Sequence, residues 1–143
     1  MEELSIGRAG IGVAIMGYGV VGKGVAHAIR NSRDRVRKKT GMSINLLHVL
    51  DLLDYPDSPD AGLITHSAGD VMDDADVDVV VETIGGVGAA FEFTKQALSR
   101  GKHVVTSNKE LVAEHGPELL ELAGADPSDS EEPSPSPSLK PLT

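Results

Sequence analysis

Residues 15–29, IMGYGVVGKGVAHAI, place three glycines, Gly17, Gly19 and Gly22, directly behind an apolar run and directly ahead of an apolar-periodic segment. A G-x-G-x-x-G spacing arises often by chance, so its meaning is set by what flanks it. Ahead of it, IGVAIM (11–16) reads as a buried strand that ends at the first glycine. Beyond it, Val21, Val25, Ile29 and Val36 recur at near-helical spacing. That spacing predicts a helix reaching Lys38 and Lys39, with Gly41 as its stop signal. INLLHVL (44–50) supplies the next strand and completes a βαβ unit.

The same alternation continues along the chain. The polar stretch DLLDYPDSPDAG (51–62) reads as loop, with Pro56 and Pro59 inside it. A short third strand is expected around Leu63 and Ile64. VDVVVET (77–83) is a strand closed by IGGVG, and Ala90, Phe93, Ala97 and Leu98 mark one face of a following helix. HVVT (103–106) is the next strand, and SNKELVAEH turns from loop into helix. Gly116 followed by Pro117 predicts one helix stopping and another starting, since proline suits a first helical turn. Leu119, Leu120, Leu122 and Ala123 then supply the last apolar face. The expected fold is α/β, a Rossmann-type doubly wound and mainly parallel sheet, incomplete at its C-terminal end. Its domain is expected over 11–124, after an N-terminal extension (1–10). The Pro-, Ser- and acid-rich segment 125–143 lacks apolar periodicity and is expected to be a disordered tail.

Composition narrows the function. The 143 residues suffice for one domain with a moderate core, and 13 Lys+Arg against 22 Asp+Glu give a formal net charge of −9. Wrapping nucleic acid needs cationic surface, so that class is disfavoured. The absence of cysteine excludes disulfides and thiolate metal sites. No apolar run approaches the roughly 20 residues of a membrane span, and MEELSIGRAG does not read as a secretory signal, so a cytoplasmic protein without membrane partners is expected. Two Phe, two Tyr and no Trp leave the core to Val, Ile, Leu and Ala, as buried parallel strands require.

Three segments leave strand carboxyl ends carrying unusual residues: GYGVVG, ETIGG and TSNK. In open parallel sheets such ends share one edge, where ligands bind. Gly17 permits the tight turn, Gly19 lets the backbone approach a pyrophosphate, and Gly22 allows close helix–strand packing, while the helix N-terminus offers free N–H groups to the diphosphate. Tyr18, Val20 and Val21 complete that loop. Asp51, past the second strand, stands where an acid holds an adenosine ribose; it lies further from the glycines than usual, and a solvated loop aspartate is the alternative. Thr83 and the backbone of IGG border the same edge, although Gly85, Gly86 and Gly88 also suit a plain connector. Lys109 is placed to stabilise negative charge on a carbonyl oxygen or to hold a carboxylate, or else is a surface charge.

Other features read as structural. The cluster Arg30, Arg33, Arg35, Arg37, Lys38 and Lys39 is expected to be the solvent-facing cationic end of a helix. DVMDDADVD (70–78) lacks the ligand spacing of a calcium loop. The histidines show no i, i+4 pair, so no metal is expected.

VAIMGYGVVGKGV, DVDVVVETIGG and GKHVVTSNKELVAEHGPELLELA together resemble the N-terminal NAD(P)-binding domain of homoserine dehydrogenase over roughly residues 11–123. That resemblance implies an oxidoreductase of threonine and methionine biosynthesis, interconverting aspartate 4-semialdehyde and homoserine with NAD or NADP. It also implies cofactor contacts at Gly17, Tyr18, Gly19, Val20, Val21, Gly22, Asp51, Thr83, Ser107 and Lys109, with Lys109 near nicotinamide and substrate. Two departures stand out. Where family members often carry an arginine before the acid matched to Asp51, this chain has Leu50, so NAD is expected to be accepted at least as well as NADP. The family's substrate domain, with its proton-donating lysine and substrate-binding acids, has no counterpart before residue 143, so a truncated chain with little turnover is expected. The competing expectations are a non-catalytic nucleotide-sensing or partner-binding module, and a reductase acting on another small carbonyl compound.

Overall fold

The computed structural model describes residues 10–124 and 139–141. Six parallel strands form one sheet: β1 (Gly10–Met16), β2 (Ser43–Leu50), β3 (Ile64–Thr65), β4 (Val79–Glu82), β5 (His103–Thr106) and β6 (Leu139–Pro141), in the order β3-β2-β1-β4-β5-β6. The chain runs outward from β1 to β3, then returns to start again at β4, so β1 and β4 flank the point where the winding reverses. Helix α1 (Val20–Thr40) covers one face, with Ala26 packed on Val13, Ile15, Val49 and Val81. The short α2 (Ala68–Met72), α3 (Gly88–Ser99) and α4 (Lys109–Leu122) cover the other, around Ala14, Met16, Val80, Val104, Leu98, Leu111 and Leu119. Side chains alternate between the two clusters along β1, so both faces of the strand are buried, and this is why it reads as a continuous apolar run. Each buried Ile or Leu contributes about 1.5–3 kcal/mol to that core.

Helix α1 ends as its sequence suggests. Gly41 adopts φ 77° and donates its N–H to the Arg37 carbonyl, while Arg37, Lys38 and Lys39 complement the helix dipole. The basic cluster is only partly free in solvent: Arg30 forms a two-point contact with the buried Asp60 carboxylate (3.1 and 3.3 Å), and Arg33 donates to Asn45 Oδ1.

Three expectations require correction. Helix α4 is continuous across Gly116 and Pro117. Leu111 on one side of the proline and Leu119 on the other are fully buried, so core packing holds one axis, and Ala113, whose carbonyl loses the donor that residue 117 would supply, is exposed to water. A sixth strand lies within the expected tail: Leu139–Pro141 runs parallel to β5. The expected tail is therefore strand over these residues, and its remainder, 125–138 and 142–143, lies outside the described residues. An edge strand needs backbone pairing on one side only, so proline and scant apolar content are tolerated there. Gly10 belongs to β1, where it pairs with Ser43, leaving 1–9 of the expected extension outside the described residues. The stretch 70–78, read above as lacking calcium-loop spacing, begins inside α2, whose Val71 and Met72 are buried. Its acids serve as local acceptors: Asp70 takes the Thr65 hydroxyl, and Asp74 binds His48 Nε2 at 2.7 Å and the Asp76 N–H, contacts that lower the Asp74 pKa.

Two buried polar groups frame the stability of the fold. Lys102, 5% exposed, donates Nζ to the Asp74 and Val77 carbonyls (2.8 and 3.0 Å) and so closes the turn that enters β4. Burial lowers its pKa, against the pull of Asp74 and Asp78. Thr94, fully buried in α3, has a hydroxyl without a partner among the described residues. Replacing it with the isosteric valine removes an unsatisfied group; Thr94→Val is expected to stabilise the domain by on the order of 1 kcal/mol. Thermal unfolding should then shift upward by about 4 °C, and a Tm at or below that of the parent chain would refute this.

Candidate functional site: a glycine loop at the sheet switch point

A cleft of about 660 Å³ opens between the carboxyl ends of β1 and β4. Gly17, Tyr18 and Gly19 line it, with Leu50, Asp51, Leu52 and Leu53 from the end of β2 and Thr83, Ile84 and Gly85 from the end of β4. The three glycines play three distinct parts. Gly17 has φ 101°, and a Cβ there would stand 2.9 Å from Thr83 Oγ1. A Cβ on Gly22 would overlap the Gly17 carbonyl, so helix and loop meet as backbone against backbone. Among the described residues, its two chain neighbours aside, none comes within 4 Å of the Gly19 Cβ position, which faces open space. No side chain caps α1 and no acid lies in its first turn, so the amides that follow Gly19 are aimed outward at a partial positive pole.

The loop is fixed from both flanks. The Gly17 N–H donates to the Leu50 carbonyl (2.8 Å), and the Thr83 hydroxyl donates toward the Gly17 and Met16 carbonyls (2.8 and 3.0 Å). Asp51 is no solvated loop residue: it is half-buried, lines the cleft, and accepts the Tyr18 N–H at 2.7 Å and the Leu53 N–H at 2.9 Å. The Tyr55 hydroxyl is also drawn to this carboxylate, which still has acceptor capacity for a further hydroxyl donor. Tyr18 turns its ring away from the glycine loop, and its hydroxyl meets Asp60 Oδ2 at 2.6 Å and Ser58 Oγ at 2.5 Å. Burial first, and Asp60 second, raise its pKa. The Tyr18 side chain thus ties the glycine loop to the β2–β3 connection.

Of the residues expected from sequence, the fold brings Gly17, Tyr18, Gly19, Asp51 and Thr83 into the cleft wall. Gly22 packs behind it, and Val20 and Val21 are exposed in the first turn of α1. Ser107 and Lys109 are exposed on the same sheet edge, outside the cleft lining. Their loop is tied to the cleft by Asn108, whose Nδ2 donates to the Ile84 and Gly86 carbonyls (3.1 and 2.5 Å) while its Oδ1 caps α4 at the Leu111 N–H.

Sequence reasoning missed three contributors. Leu52 and Leu53 are 89% and 61% exposed and form an apolar lip. His66 also lines the cleft, held by the Asp51 carbonyl and the Asp54 carboxylate, which raise its pKa in that order. Glu82 is the third: the last residue of β4, it is fully buried and accepts the Ile84 N–H (2.7 Å) and the Thr106 hydroxyl (2.5 Å). Desolvation raises its pKa, and these hydrogen bonds together with Asn108 partly offset the rise. Its signal in the sequence was a lone carboxylate ending an otherwise aliphatic strand.

A parallel sheet wound in this order, with a glycine turn and an uncapped helix start at the switch point, defines a Rossmann-type dinucleotide-binding domain. The family model for the NAD-binding domain of homoserine dehydrogenase matches residues 17–129, and the chain belongs to that family. It is 40% identical over 117 residues to a homoserine dehydrogenase of Bacillus subtilis, covering 77% of this chain and 26% of that one. To the Neisseria gonorrhoeae homoserine dehydrogenase it is 37% identical over 119 residues, covering 79% and 26%. Among solved structures, Staphylococcus aureus homoserine dehydrogenase superposes with a TM-score of 0.79 at 26% identity, covering 94% of this chain and 33% of that one. The Thiobacillus denitrificans enzyme does so with 0.73 at 38% identity, covering 80% and 27%. A hyperthermophilic archaeal homoserine dehydrogenase in complex with NADPH shares the fold, with a TM-score of 0.62 at 24% identity. The chain spans about a quarter of the length of these curated relatives. The matches do not favour a non-catalytic module of another kind. No helix among the described residues is long and apolar enough to cross a membrane.

The cradle fits a dinucleotide, because of Gly17, Gly19 and Gly22 the one whose Cβ position is open is the one facing the helix start. Gly19→Ala is expected to leave Tm unchanged yet weaken NADH binding by about tenfold or more, since its methyl would fill the open space at the helix start that suits a diphosphate. Gly22→Ala should instead destabilise the fold by on the order of 2 kcal/mol, through overpacking against backbone. Fluorescence titration and thermal unfolding of both variants check the contrast; equal loss of stability would contradict it.

Proposed function

We propose that this chain is the cofactor-holding part of a homoserine dehydrogenase, acting with a nicotinamide dinucleotide in the interconversion of aspartate 4-semialdehyde and homoserine. The cofactor supplies the hydride chemistry. The observation that carries the reading is the open Gly19 cradle at an uncapped helix start, in a chain of this family. In this assignment the Gly19, Val20 and Val21 amides hold the diphosphate, and the Asp51 carboxylate takes the adenosine ribose hydroxyls. Thr83 and Ile84 wall the cleft toward the nicotinamide half. Ser107 and Lys109, kept on the same rim by Asn108, stand over that half, with Lys109 placed to stabilise negative charge at a substrate oxygen. Substrate binding and proton donation are assigned to a separate part of a complete enzyme. A biosynthetic role of this kind suits the cytoplasm, and the net charge of −9 argues against a nucleic-acid partner.

Asp51 also bears on cofactor choice. A 2′-phosphate set against this carboxylate meets like charge, and no Arg or Lys is among the residues lining the cleft. Its one basic side chain, His66, is already engaged by Asp54. NAD(H) is therefore expected to bind at least as tightly as NADP(H). Parallel titrations with NADH and NADPH test this, and a clear preference for NADPH would overturn it. The 143-residue polypeptide is further expected to bind NADH without oxidising homoserine, and measurable turnover would contradict the assignment of the remaining chemistry to another part of the enzyme.

A further inference from the structure

Resting on that reading, we propose that Glu82 is the positioning residue for the nicotinamide half of the cleft: its buried carboxylate fastens the loop after β4 to the loop after β5. The hydrogen bonds close a ring. Glu82 accepts the Ile84 N–H through Oε2 and the Thr106 hydroxyl through Oε1, and the Thr106 oxygen accepts the Asn108 N–H at 3.0 Å. Asn108 returns to the start by donating to the Ile84 carbonyl. Every link joins one loop to the other or to the strand end beneath it.

The polarity of the ring explains why the residue is a carboxylate. Asn108 N–H points at the Thr106 oxygen, so the Thr106 proton is directed onward to Glu82, and the Ile84 N–H arrives from the opposite side. Two donors therefore converge on residue 82, and only a carboxylate offers two acceptor oxygens with no donor. A glutamine satisfies one and sets its NH₂ against the other. The charge sits there at an energetic disadvantage, fully buried with only neutral partners. For filling the space alone, an apolar side chain would serve better. The consequence falls on one end of the cofactor. The diphosphate and the adenosine end rest on the glycine loop and Asp51, neither of which is a member of the hydrogen-bonded ring, whereas Ile84 is both a ring member and cleft wall.

The test compares two probes, NADH and ADP-ribose, which lacks the nicotinamide, on the 143-residue chain and its Glu82→Gln, Thr106→Val and Thr106→Ser variants. Glu82→Gln and Thr106→Val are expected to weaken NADH binding by about tenfold while ADP-ribose binding stays within about twofold. Thr106→Ser, which keeps the hydroxyl, should recover the NADH affinity lost in Thr106→Val. The proposal is overturned if folded Glu82→Gln binds NADH like the parent, or if both probes weaken together. Should Glu82→Gln fail to fold, the Thr106→Val and Thr106→Ser pair decides by the same criterion. Failure of the parent chain to bind either probe defeats the cofactor reading itself and is distinguishable from both results.

Discussion

Everything at the upper edge of this sheet depends on the peptide turn at Gly17. The residue leaves β1 with a backbone conformation that L side chains rarely adopt, and Thr83 and Ile84 close on the space a Cβ would need. Because the turn is this tight, α1 starts directly over the end of β1, with its first amides free and facing the gap beside β4. Because Gly22 then meets Gly17 backbone to backbone, the helix axis is held close to the sheet. A side chain at either position would lift the helix start away from the strand ends and dissolve the cradle. Fold and site are therefore one constraint here.

The neighbouring strands answer that constraint with hydrogen bonds. Leu50 holds the Gly17 N–H from one flank and Thr83 holds its carbonyl from the other, so the two strands beside β1 specify the turn that β1 alone would leave loose. Asp51 extends the same logic by taking the next amide, that of Tyr18, while facing the cleft. The carboxylate thus serves the architecture before any ligand arrives. This dual use suits a preorganised site, in which the polar groups that meet a ligand are already oriented by the protein.

What could be read from sequence follows from periodicity and from glycine. β1, β2 and β5 were legible because buried strands in a parallel sheet leave unbroken aliphatic runs, and α1 because its apolar residues kept step with Ala26 and Gly22. α2 escaped because five residues carry too little periodicity. The break expected at Pro117 gave way to long-range packing at Leu111 and Leu119, which no local rule contains. β6 escaped because its pairing with β5 is a backbone interaction. In the site, glycines and Asp51 announced themselves by position, whereas Glu82, Thr106 and Asn108 did not. Their significance lies in which way each proton points, and that appears only when two loops 22 to 24 residues apart are seen side by side.

That difference separates the two halves of the cleft. The half built on β1 and β2 is held by glycine sterics and by backbone bonds, interactions that carry no charge apart from Asp51. The half built on β4 and β5 is held through one buried ionisable carboxylate whose partners are all neutral. Steric constraints act at every pH and ionic strength, while a buried carboxylate holds its partners as a double acceptor only when ionised. The raised pKa of Glu82 means that the folded state retains its proton to higher pH than the unfolded chain does. Its desolvation cost is therefore absent below the unfolded pKa and grows as pH rises from there through the folded pKa. Above that window the ring has its full set of acceptors and the fold bears the cost of the charge. The geometry of the half on β4 and β5 is thus maintained against a local loss of stability, whereas the half on β1 and β2 is maintained by the same packing that stabilises the sheet.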